Sequence, residues 1–264
     1  MEAFLADPGM LALASGVGVL VGFVLGLVGG GGSILAVPLL LYVVGVASPH
    51  MAIGTAAVGV AANAASGLVA HARAGTVKWR CAVVFSIAGI IGAYVGSSIG
   101  KAIDGDVLLA AFGGAMIAIG IWTLVPKSSE DQPDVRLTLQ SARDLLPRLI
   151  PFGFGAGSAA GFFGIGGGFL IAPGLMAATH MPMRIAVGTS LVAVLAFGAT
   201  TAANYAVSGL VNWPVAVAMI AGGVVGGLAG QRASKALGQS GNLLTLVFAA
   251  LVMGVGGFII WQSL

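Results

Sequence analysis

The residues that bear most directly on chemistry in this chain are glycines. Residues 26–38 read GLVGGGGSILAVP, placing Gly29, Gly30, Gly31 and Gly32 in a row before Ser33 inside an otherwise apolar run. Each glycine costs a helix about 1 kcal/mol relative to alanine, so four together open it locally. Opened backbone cannot face lipid, where every unsatisfied amide is costly, so it must meet protein, a water-filled cavity or a ligand. The sequence therefore predicts a break at these glycines, with Ser33 capping a helix that continues through Ile34 and Leu35. Amides freed at such a helix start suit an anion. Residues 161–173, GFFGIGGGFLIAP, repeat the arrangement with Gly164, Gly166, Gly167 and Gly168.

Few other polar residues lie at membrane depth. Asn63 sits midway in GVAANAASG, where its amide needs a partner or a cavity. Thr55, Thr189 and Ser190 stand near the starts of their apolar segments, with Thr200, Thr201 and Asn204 further along. Asn63, Thr55, Thr189 and Ser190, with Ser33 and the glycine runs, make up the candidate substrate site. Within it, Ser and Thr hydroxyls on membrane helices commonly bond their own backbone. His71 and Tyr205 are expected at the membrane boundary, and Trp79 and Trp213 as belt anchors. Glycines three or four apart, such as Gly89, Gly92 and Gly96 or Gly223, Gly226 and Gly230, are expected to be helix-packing surfaces.

Every Asp and Glu falls outside the apolar runs, so the sequence offers no buried carboxylate for a proton relay or a cation site. It also lacks a Ser–His–Asp set, an HExxH motif, a Cys/His cluster, a Walker loop and a dinucleotide fingerprint. An enzyme, a metal and a cofactor are accordingly not expected. A site of amides, hydroxyls and one Asn amide without carboxylates suits an anion.

The elements that position these groups follow from composition. Of 264 residues, 58% are hydrophobic and 7% charged, and the mean hydropathy is +1.08. That is an integral membrane protein, and runs near 20 residues without strand-like alternation make it an all-α polytopic bundle. No cleaved leader is read at the N-terminus, which carries Glu2 and Asp7 where a basic region would stand. The single Cys81 excludes an internal disulfide and is expected to be packed. A net charge of +3 without a soluble face speaks for topology and against nucleic acid.

Apolar runs fall at about residues 10–28, 34–47, 51–70, 79–99 and 106–125, then at 148–163, 169–179, 184–207, 213–230 and 242–262. The sequence thus divides into a first membrane repeat at 1–125, a cytoplasmic linker at 126–147 and a second repeat at 148–264. The halves align at an offset of 134 or 135: Gly26, Gly29, Gly31, Gly32 and Pro38 fall on Gly161, Gly164, Gly166, Gly167 and Pro173. Trp79 meets Trp213, Lys101 meets Lys235, and Asn63 meets Phe197. Such a match over the whole length predicts duplication. Five segments per half invert the second relative to the first, with the glycine-interrupted first and second segments forming hairpins toward the midplane. With the N-terminus outside, ten of the eleven Lys and Arg residues face inward and only Lys101 faces outward. Both termini are then expected on the periplasmic side. The runs at 34–47 and 169–179 are short for a full crossing, so either a re-entrant hairpin or a tilted span remains open.

The paired motifs GLVGGGGSILAVPLL and GFFGIGGGFLIAPGLM, each followed by a Gly-Thr segment (AIGTAAVG and AVGTSLVA), resemble the sulfite exporter TauE/SafE family of membrane permeases. The likeness runs from about residue 11 to 262. It implies a bacterial cytoplasmic-membrane protein that exports sulfite, sulfoacetate or related organosulfonates. The partners expected are thus a small anion and the lipid bilayer, with a homodimer compatible but unspecified. Alternating access is the leading mechanism, a passive anion pore the alternative, and a non-transporting scaffold the least supported.

Overall fold

The computed structural model describes residues 7–28, 30–124, 141–164, 168–236 and 241–263. Among them are helices α1 (Pro8–Val28), α2 (Ala36–Tyr42), α3 (Pro49–Arg73), α4 (Trp79–Ala102) and α5 (Gly105–Leu124). After these come α6 (Ala142–Phe163), α7 (Gly168–Thr179), α8 (Met183–Val207), α9 (Trp213–Ala236) and α10 (Gly241–Ser263). The ten helices match the ten expected runs, and α1, α3, α4, α8 and α9 each hold a stretch long and apolar enough to cross a membrane. The chain is an all-α, multi-pass membrane protein.

Local chemistry sets the helix boundaries. Ser48 caps α3 by accepting from the Met51 N–H at 3.2 Å, with Pro49 at the first helical position. Asp104 accepts from the Asp106 N–H at 3.0 Å before α5. α6 begins at Ala142, inside the stretch expected to be linker, because Asp144 suits its first turn and apolar residues follow at helical spacing. It ends at Gly164 with φ of 68°, a left-handed conformation that glycine takes at no steric cost.

One expectation fails at the first glycine run. A 3-10 helix, Gly30–Leu35, follows α1, and α2 starts only at Ala36 with no side-chain cap. Ser33 therefore lies inside the 3-10 segment, fully buried, and does not cap a helix through Ile34 and Leu35. Glycines tolerate the tighter winding, and the segment folds back so that Gly32 lies against the backbone of Val21, Val24 and Leu25. A side chain at position 32 would strike α1.

The helices associate across the two halves. α1 packs on α9, α4 on α6, α3 on α8 and α5 on α10. Exchange of the halves turns this set of pairs into itself. Contacts step in register: Gly18, Gly22 and Gly26 of α1 lie against the main chain at Met219, Gly223 and Gly227 of α9, so these helices run parallel. Gly92 and Gly96 of α4 likewise meet Phe154 and Ser158 of α6, another parallel pair. α3 runs antiparallel to α8, since Gly198 lies against Ala57 and Ala61 whereas Gly188 lies near His71. The glycine stripes are thus backbone-to-backbone packing surfaces, as their spacing predicts. Large apolar side chains point outward instead, among them Ile91, Val217 and the tryptophans Trp79 and Trp213, each about half exposed.

Candidate functional site

Asn63 lies in the middle of α3, ten residues before Arg73, which is about 15 Å of helical rise. Its side chain is 2% exposed, and neither Nδ2 nor Oδ1 has a hydrogen-bond partner. A Cβ at Gly223 of α9 would collide with Cγ, Nδ2 and Oδ1 of this amide, so the glycine admits it. A buried amide with both ends unmet costs about 1–3 kcal/mol or more. Such a cost is retained at functional positions.

The amide stands at a narrow crevice with a cavity volume of about 10 Å³, room for one water in this conformation. Leu25 and Gly26 of α1, Ser66, Gly67 and His71 of α3, Leu191 of α8, and Gly227 and Gln231 of α9 complete its wall. Asn63, Ser66, Gly67 and His71 share one face of α3 at helical spacing. The lining contains no carboxylate. Beyond His71 and Gln231 stand the exposed arginines Arg73 and Arg232, a positive rim for an approaching anion.

The matching place in the other half is closed. Phe197, the counterpart of Asn63, lies against Gly89, the counterpart of Gly223, and stacks on Phe85 with ring centres 6.2 Å apart. It is fully buried. Two equivalent positions thus hold an unmet amide beside a crevice and a phenyl ring in a filled core.

The remaining predicted residues take other places. Thr55 Oγ1 accepts from the Asn212 N–H at 2.9 Å, and its counterpart Thr189 Oγ1 accepts from the Lys78 N–H at 3.1 Å. Each hydroxyl clasps the loop before a tryptophan-led helix of the opposite half. Ser190 donates to its own backbone at Val187, 2.8 Å away. Leu25 and Gly26 line the crevice, whereas Gly32 and Ser33 are not among its described lining residues. Gly164 lies against Ile53, and Gly168 opens α7, which contacts the 3-10 helix Gly30–Leu35. Gly29, Gly166 and Gly167 lie outside the described residues.

His71 and Tyr205 each lie two residues before the end of their helices, α3 and α8; His71 lines the crevice with its Nδ1 2.9 Å from Thr76 Oγ1, and Tyr205 is fully buried. Both sit at the interface between halves, which a single segment's hydropathy does not reveal. Ser66 and Gln231 gave no signal individually; the i, i+3, i+4, i+8 set around Asn63 was the available clue.

The clasps carry a prediction. Thr55→Val and Thr189→Val should each lower stability by about 1–3 kcal/mol, because a buried loop N–H loses its acceptor. Thermal unfolding in detergent will read this, and the half-saturation for a transported anion should stay unchanged. A shifted half-saturation with unchanged melting would place these hydroxyls in the site instead.

The family model described as "Sulfite exporter TauE/SafE" matches residues 14–259. A "Probable membrane transporter protein" of Xylella fastidiosa (strain Temecula1) is 48% identical over 258 residues, 96% of each chain. The "Probable membrane transporter protein YunE" of Bacillus subtilis (strain 168) is 26% identical over 264 residues, covering 94% of this chain and 96% of the relative. No solved structure matches the chain at a significant level.

Proposed function

The chain belongs to the sulfite exporter TauE/SafE family of membrane transporters, and from that premise we propose that it carries a small sulfur oxyanion outward by alternating access. The substrate class is sulfite, sulfoacetate or a related organosulfonate, and the membrane is the bacterial cytoplasmic one, with both termini periplasmic. The two halves sit inverted in the bilayer. Supporting this are the opposite directions of equivalent helices: α1, α3 and α9 run one way, and α4, α6 and α8 the other.

The observation that carries the reading is the unmet amide of Asn63 at the bottom of a carboxylate-free crevice. Its Nδ2 donates to an oxyanion, and Ser66, His71 and Gln231 line the same crevice. Arg73 and Arg232 stand beyond the His71 and Gln231 end of the crevice, and the positive-inside rule assigns that end to the cytoplasm. The glycine runs at 29–32 and 164–168, with Ser33, add their amides to the anion as the bundle changes state; the contact between the 3-10 helix and α7 supports this.

Reconstitution into liposomes tests this directly. Sulfite and sulfoacetate should show saturable flux and counterflow, exceeding sulfate and simple carboxylates. Non-saturating flux would favour a passive pore, and equal flux of all these anions would defeat the substrate assignment.

A further inference from the structure

The outer end of the bundle holds a set of groups that the inner crevice does not use. Lys101, at the end of α4, donates from Nζ to the Asn204 main-chain oxygen at 3.0 Å, to Asn204 Oδ1 at 2.7 Å and to Ser208 Oγ at 2.8 Å. Asn204 Nδ2 donates in turn to Ser97 Oγ at 2.6 Å and Ser98 Oγ at 3.0 Å. The ammonium also lies 5.9 Å from the centre of the Tyr205 ring. All its acceptors are neutral, and no described carboxylate is within ion-pairing distance of it. The dipole at the end of α4 favours a cation there. It does not explain the neighbours.

Those neighbours include two hydroxyls without partners, Thr201 Oγ1 and Tyr205 Oη, on side chains that are completely buried. Their positions are informative. By the 134-residue offset Thr201 corresponds to Gly67, Tyr205 to His71 and Ser97 to Gln231, three residues that line the inner crevice. Phe197 stands for Asn63, and Ala93 for Gly227. Each of these outer counterparts is buried. What is an open crevice at the inner end is a collapsed one at the outer end, and it has stranded polar groups inside it.

We infer that α4 and α8 enclose a second, outer oxyanion site, shut in this conformation, in which Thr201 and Tyr205 donate to the anion and Lys101 supplies the charge. The Lys101–Asn204–Ser208 hydrogen bonds are its latch. When the outer end opens, the ammonium exchanges these neutral acceptors for the anion, and the two hydroxyls gain the partner they lack. This rests on the transport reading for the identity of the ligand, while the closed pocket and its latch stand on the geometry alone.

Thiol labelling tests the site. Thr201→Cys in a Cys81→Ala background is exposed to a membrane-impermeant maleimide from the outer side of right-side-out vesicles, with Ser97→Cys as the second probe should the first not fold. Labelling should be slow with Lys101 present, and Lys101→Met should speed it at least about tenfold by removing three hydrogen bonds from a charged donor. External sulfoacetate or sulfate should slow labelling when Lys101 is present and have no effect in Lys101→Met. Fast labelling with Lys101 present, labelling unchanged by Lys101→Met, or indifference to both anions would overturn the proposal. Anion flux measured on Cys81→Ala vesicles that keep Ser97, Lys101 and Thr201 separates the two readings: the labelling pattern without flux of any anion in these vesicles defeats transport and leaves the outer site standing, and flux with an indifferent label does the reverse.

Discussion

Asn63→Leu should abolish anion transport while leaving the protein as stable as before, or more so. Leucine is close in size to asparagine and removes a buried amide whose donor and acceptor both lack partners. Deleting that penalty stabilises by up to about 1–3 kcal/mol. Transport moves the opposite way, because a hydrogen bond to a charged group contributes about 1.5–3 kcal/mol, and each 1.4 kcal/mol is a factor of ten. Sulfite flux at subsaturating concentration should therefore fall at least about tenfold. The two readouts together decide the role of the residue. A variant that melts earlier yet transports normally would make Asn63 a packing residue and remove the support for the crevice as the site.

Gly226→Leu should prevent the bundle from forming. A Cβ at this position falls on the main chain of Val19, so α9 and α1 would have to separate. Overpacking typically costs about 1–3 kcal/mol when side chains can yield, and here only backbone is available to yield. The expected result is loss of the monodisperse peak in size-exclusion chromatography and of protein in the membrane fraction. Gly16→Ala on α1 provides the contrast. It has open space around it and should be neutral or stabilising by up to about 1 kcal/mol through helix propensity. If both variants behaved alike, close backbone approach between α1 and α9 would not be what holds the halves together.

Much of the fold was legible in the chain because the bilayer leaves little choice. Runs of apolar residues become helices, since no other open structure satisfies backbone groups in lipid. The GxxxG-like spacing in α4 and α9 specified close packing for the same reason, as only small residues let backbones touch. The site was less legible. Asn63 stood out because an amide inside a membrane helix is costly wherever it sits. Ser66, His71 and Gln231 did not, since each is unremarkable on its own segment and becomes significant only where α3 and α9 meet. Thr55 and Thr189 sit at depth and repeat between halves, and each hydroxyl oxygen accepts from a loop amide of the other half, a role that neither segment shows by itself.

The sequence by itself determined that this is an all-α, multi-pass membrane protein whose Asp and Glu residues all fall outside the apolar runs. Those properties are sums over residue types and spacings, and they need no knowledge of which helix touches which. Only the tertiary structure decided how the glycine runs are used. Gly30 to Gly32 lie in a 3-10 segment whose Gly32 packs against the backbone of α1, and Ser33 does not cap a helix start there. It also decided that one of two equivalent positions holds an unmet amide beside open space, while the other is filled by Phe197 over Gly89. Whether a polar group is met or stranded depends on the partner that comes across from the opposite half, 157 residues away in the chain for Thr55 and 111 for Thr189.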